Sequence, residues 1–233
     1  MKHCVFTADM KMSEIFHINL NMAVLLPRLD MEFGFAEKTV AQCCQRHGVD
    51  CDFFLMIGNV YTFDDYLPDT EELHNLDIDK LLDFLLKSHN YYMEERLPHI
   101  ENHLEKIVEN VDVSVQAILK QFYADYKQEV SNHFEYEEDT VFPYIRKLLN
   151  DKSKPDYQIN QFEQNHSNIE DKLADLINII IKYLPGKLRT TDRISMLQDL
   201  AALSADLNRH ALIEDKILVP FVEYLEKQRH ENI

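Results

Sequence analysis

HFEYEEDTVFP, residues 133–143, and HALIEDKILVP, residues 210–220, are the two stretches whose reading decides the fold. Each opens on a histidine, places a glutamate four residues later with a second acid directly after it, and closes on a proline. In an α-helix, residues four apart lie one turn apart on the same face, so each stretch presents an imidazole and a carboxylate to a common point. The neighbouring residues make that point the interior. His133, Glu137 and Val141 continue a stripe of Ile118 or Leu119, Phe122, Tyr126 and Val130, while His210 and Glu214 sit between Leu197, Leu200, Leu203, Leu207 and the later Leu218 and Phe221.

Two further helices follow from the same periodicity. After Asp77, a plausible N-cap, Leu82, Leu86, Met93, Leu97, Ile100, Leu104 and Ile107 recur in steps of three, four or seven, with His89 filling the missing place. Ile159, Phe162, His166, Ile169, Leu173, Leu176 and Ile180 form the other stripe, again with a histidine among apolar residues. His89 and His166 are 77 residues apart, as are His133 and His210, so the repeated line belongs to a duplicated helical hairpin. Short connections at Asn150–Asp156 and Leu184–Asp192, the second carrying Pro185 and Gly186, make an up-down-up-down four-helix bundle the economical arrangement. The spacing of 44 residues within each copy suits a helix, a turn and an antiparallel return, which brings four histidines and two glutamates to one core layer.

Composition agrees with an all-α fold. The 233 residues hold only four glycines and seven prolines, and 45% are hydrophobic, enough for a sizeable core. A formal net charge of -17 without a compact basic block argues against nucleic acid and anionic membrane as partners. The N-terminus lacks the apolar run of a signal peptide and no stretch is long enough to span a bilayer, which reads as a cytoplasmic protein. Cys4, Cys43, Cys44 and Cys51 form no C-x-x-C pair and read as reduced thiols. The polar stretch from Gly58 to Asn75 suggests a division into a small helical domain at 1–58, a linker at 59–76 and the bundle at 77–233.

Burying so many polar groups among Leu and Ile costs roughly 1–3 kcal/mol for each unsatisfied group, and more for a charged one. A metal centre removes that cost. Two ions, each with about two imidazoles and sharing two carboxylates, would satisfy the cluster; imidazole with carboxylate suits iron or manganese and leaves positions open for a small ligand. Either H-x-x-x-E stretch alone is a weak signal; the shared offset and the apolar stripe carry the reading. His99 and His103 also have i, i+4 spacing, but they flank the stripe about 21 Å along the axis from His89 and read as solvated, while Glu138 reads as a helix-surface acid.

The doubled H-x-x-x-E-E/D pattern followed by an apolar pair and Pro resembles the hemerythrin-like (HHE) cation-binding domain, over about residues 77–228. The resemblance implies a non-haem di-iron centre, oxo- or hydroxo-bridged, with His89, His133, Glu137, His166, His210 and Glu214 as metal ligands and the two glutamates bridging. Oxygen-carrying hemerythrins add a fifth histidine. The corresponding position four after His166 is Glu170 and Met93 follows His89 by four, so the four-histidine set is more similar to the repair-of-iron-centres proteins. Asn21–Leu55 reads as three short helices and resembles their N-terminal domain, but Gly34 and Phe35 stand where that family carries adjacent cysteines, and Cys43 and Cys44 come later, as small core side chains of a helix.

Handling of iron, nitric oxide or oxygen in stress response and repair of iron-sulfur centres is what this implies, with iron-sulfur proteins as partners and a homodimer left open. A sensing module that binds oxygen or nitric oxide without turnover is the alternative. Ferritin-like oxidase chemistry would need Glu-x-x-His in both halves; Glu163 with His166 supplies one, and Leu86 stands at the matching place before His89.

Overall fold

The structure, a computed structural model, describes residues 5–109, 111–150, 157–165, 169–183 and 189–231. The fold is all-α: no strand occurs among the described residues, and an isolated bridge joins Lys11 to Thr39. The chain divides into two compact units, Met1–Ser88 with Arg209–Ile233, and His89–Asn208. No helix of the described residues is long and apolar enough to cross a membrane.

Among the described residues, five α-helices precede the long ones: α1 (Met12–Ile18), α2 (Leu25–Arg28), α3 (Val40–His47), α4 (Cys51–Thr62) and α5 (Thr70–His74). Their ends are written in local chemistry. Thr39 and Gln42 form a capping box at the start of α3, Gly48 closes it in the left-handed conformation (φ 71°), and Asp50 caps α4 by accepting from the Asp52 and Phe53 amides. Asp69 and Glu72 cap α5 in the same reciprocal way, so the polar stretch after Gly58 contains the last turn of α4 and a short helix of its own. Buried Asn59 ties the N-terminal segment to α4, accepting from the Phe6 amide at 2.7 Å and donating to its carbonyl at 3.3 Å.

Further helical elements follow among the described residues. α6 comprises Ile78–Asn90, a π turn at Tyr91–Arg96 and Leu97–Val108; α7 comprises Val113–Tyr136, a π turn at Glu137–Val141 and Phe142–Asn150. Asn160–Asn165 (α8) and Ile169–Tyr183 (α9) carry the third stripe, and α10 comprises Thr190–Ile213, a π turn at Glu214–Leu218 and Val219–Glu231. In every interrupted run the π turn ends two residues before a proline: Pro98, Pro143 or Pro220. A proline inside a regular α-helix collides with the carbonyl four residues back and removes one hydrogen bond. The wider turn displaces that carbonyl, and the residue before each proline donates five residues back: Leu97 to Tyr92, Phe142 to Glu137, Val219 to Glu214. The trailing proline of each repeated stretch thus accompanies a π turn whose first residue is the glutamate.

Within His89–Asn208 one core is built from α6, α7, α9 and α10, including Leu97, Ile100 and Leu104 of α6, Leu119, Tyr123, Tyr126 and Val130 of α7, Leu173 and Leu176 of α9, and Met196, Leu200 and Leu203 of α10. The Tyr123 hydroxyl donates to the Leu97 carbonyl at 2.7 Å, satisfying the phenol inside that core. The stripes differ from the sequence expectation by one residue in places: Tyr92, Tyr123 and Met196 are buried where Met93, Phe122 and Leu197 are only partly so. At Met93 the cause is visible, since the π turn shifts the phase of the stripe by one residue.

Candidate metal centre

His89 lies near the end of the first segment of α6 with 2% of its side chain exposed. Its ring stacks on Phe134 with centroids 4.0 Å apart and 8° between planes, and runs near-parallel to Phe142 at 5.8 Å. Both aromatic residues come from α7, which also supplies the acids. Glu137, 1% exposed, places Oε2 3.0 Å from His89 Nε2 and Oε1 2.8 Å from His133 Nε2. In the other unit, His210 Nε2 stands 3.0 Å from Glu214 Oε1, with both side chains buried.

His89 and Glu137 in one unit, and His210 and Glu214 in the other, are buried residues of the kinds that ligate a metal ion. His133 sits against Glu137 in the same unit. His166 and the side chains of Glu163 and Glu170 lie outside the described residues.

The donor set fits a cation. Neither oxygen of Glu137 accepts a hydrogen bond from a described residue, although two imidazole nitrogens stand at 3.0 and 2.8 Å. Two ligand atoms about 2.1 Å from a shared ion, at right angles, are about 3 Å apart, so close approach without hydrogen-bond alignment is the geometry expected of ligands. A carboxylate buried this deeply costs several kcal/mol unless a charge compensates it.

A family model described as the hemerythrin HHE cation binding domain matches residues 80–222. The chain belongs to that family. A search of curated proteins found no match. The HHE match spans both repeated stretches and His89, His133, Glu137, His166, His210 and Glu214, and its description as cation-binding agrees with the chemistry of the buried group.

One residue of this HHE site escaped the sequence reading. Glu138 is not an idle surface acid: its Oε1 is hydrogen-bonded to His89 Nδ1 at 2.8 Å, while 37% of its side chain remains exposed. The signal was present in the second acid of each stretch, Glu138 and Asp215, 77 residues apart. His103 also departs from expectation. His99 is 61% exposed, but His103 is 20% exposed and its Nδ1 is hydrogen-bonded to Asp199 Oδ2 at 2.9 Å, with Arg96 donating to the Asp199 carbonyl at 3.0 Å.

Cys43 and Cys44 are buried in α3, and Cys43, Cys44 and Cys51 are free. Burial, together with the neighbouring Cys51, pushes the Cys44 thiol up to about 12, which suits a packing residue and disfavours a thiolate. Phe35 occupies the loop position where a thiol was sought, stacked on Phe16 at 5.5 Å beside exposed Phe33.

Proposed function

We propose that this HHE protein holds a dinuclear non-haem iron centre on His89, His133, Glu137, His166, His210 and Glu214, with the two glutamates shared between the ions. The observation that carries the reading is buried Glu137, approached by two imidazole nitrogens at ligand spacing without accepting a hydrogen bond from either. Bound iron would supply a change of oxidation state and coordination positions for a diatomic ligand. The chain's own residues hold the imidazoles in the core and keep bulk water from the carboxylates. Glu137 and Glu214 supply the negative charge that such ions require.

The wider role we assign is handling of iron, nitric oxide or oxygen in the cytoplasm during stress, in support of damaged iron-sulfur proteins. It is supported by family membership and by the four-histidine complement. Elemental analysis with ultraviolet-visible spectra of anaerobically purified protein tests the centre, and azide or nitric oxide tests its access. Near two irons per chain and a spectrum that responds to either ligand are expected. Metal-free protein of undiminished stability, or zinc with no spectral response, would overturn the assignment.

A further inference from the structure

The His89 ring has two problems to solve at once, and the aromatic packing solves only one. Stacking on Phe134 at 4.0 Å and 8°, with Phe142 near-parallel, fixes the plane of the ring. A half-turn about the bond joining ring and side chain leaves that plane unchanged and exchanges Nδ1 with a carbon. A neutral imidazole also has two tautomers, and only the one protonated on Nδ1 leaves the Nε2 lone pair for a cation. Plane, edge and tautomer must all be set.

We propose that Glu138 is the positioning residue that sets the last two. An ionised carboxylate can only accept, so the 2.8 Å bond from Nδ1 places the proton on that nitrogen and turns Nε2 toward Glu137, 3.0 Å away. Consecutive residues of one π turn thereby contact the two nitrogens of a single ring, Glu137 at Nε2 and Glu138 at Nδ1. A π turn rotates less per residue than an α turn, which brings successive side chains closer in direction. Glu138 keeps 37% of its side chain in solvent and so escapes much of the burial cost borne by Glu137. The carboxylate so placed also raises the basicity of the ligating nitrogen.

This inference rests on the metal reading for its purpose, but its test need not. Nitrogen-15 NMR of the imidazoles in metal-free protein reads the tautomer directly, with the His89 signal assigned by its loss in His89→Gln. Wild type should show His89 protonated on Nδ1. Glu138→Ala should shift it toward the Nε2-protonated form or a mixture, whereas Glu138→Gln, whose amide oxygen still accepts, should restore much of the wild-type signal. In iron-loaded protein, loss of iron(II) to excess chelator should quicken about 10–100-fold in Glu138→Ala, and less in Glu138→Gln. Glu135→Ala, removing an exposed acid bonded to Ser131, is the control and should match wild type. An unchanged His89 tautomer in Glu138→Ala, or iron loss no faster than in Glu135→Ala, would overturn the proposal. Wild type that binds no iron would count against the cofactor reading alone and leave the tautomer to decide this one.

Discussion

Two imidazole–carboxylate contacts in the unit His89–Asn208 look alike by distance and differ in kind. His133 Nε2 lies 2.8 Å from Glu137 Oε1, and His103 Nδ1 lies 2.9 Å from Asp199 Oδ2. The second is a hydrogen bond, backed by Arg96 and 20% exposed on both sides. It is complete as it stands. The first is buried, and the Glu137 oxygen accepts no hydrogen bond from the nitrogen facing it. Separation alone therefore does not tell a structural pair from a pair of ligands; alignment and burial do, because a misaligned buried carboxylate has no compensation except a cation.

The largest expected consequence of that difference is in metal content. Glu137→Gln and Glu214→Gln should each lose at least half of the bound metal per chain by elemental analysis, while Asp199→Asn should keep the wild-type amount. Equal content in all three would erase the distinction. Stripping the metal should come next: for ligand held at 1,000 times its dissociation constant, removal forfeits about 4 kcal/mol of stability, visible as a fall in thermal midpoint. Asp199→Asn should show the same fall on chelation as wild type, since its pair lies outside the cation's reach.

Before chelation, Asp199→Asn should itself cost about 1–2 kcal/mol in denaturant melts, from its bonds to His103 and Arg96. A larger loss accompanied by metal release would join the two clusters into one. The smallest effect belongs to His99→Ala. At 3.5 Å from Asp199 and 61% exposed, it should change stability by no more than about 0.5 kcal/mol.

The long helical runs were legible because Ile169, Leu173, Leu176 and Ile180 repeat without interruption, and the histidines were legible because polar residues on such stripes demand a reason. Where the phase slipped at Met93, a π turn adds a residue that a fixed 3.6-residue period has no means of showing. Glu138 was misread for a different cause. Its partner His89 is 49 residues away, and a half-exposed acid beside a buried one has the composition of any helix surface. The same holds for His103 and Asp199, 96 residues apart, whose pairing is a property of packing. In the N-terminal region the capping residues Thr39, Asp50 and Asp69 mark helix starts, but the left-handed backbone at Asp30 (φ 54°) and Ala36 (φ 49°) has no glycine to announce it.

The π turn at Glu137–Val141 also makes α7 one residue too long for its own regular geometry, and that surplus is heritable. Deleting Thr140 would remove the surplus, with nearly the same helix length and composition, and a regular α turn would set the Pro143 ring against the Glu138 carbonyl. Side chains beyond the deletion, Ile145 and Leu148 among them, would keep their phase relative to His133, but Glu137 and Glu138 would lose the directions that the wide turn gives them. A lineage could thus lose this site through a three-nucleotide deletion that leaves every histidine and glutamate in place, and a search for intact ligands alone would not notice.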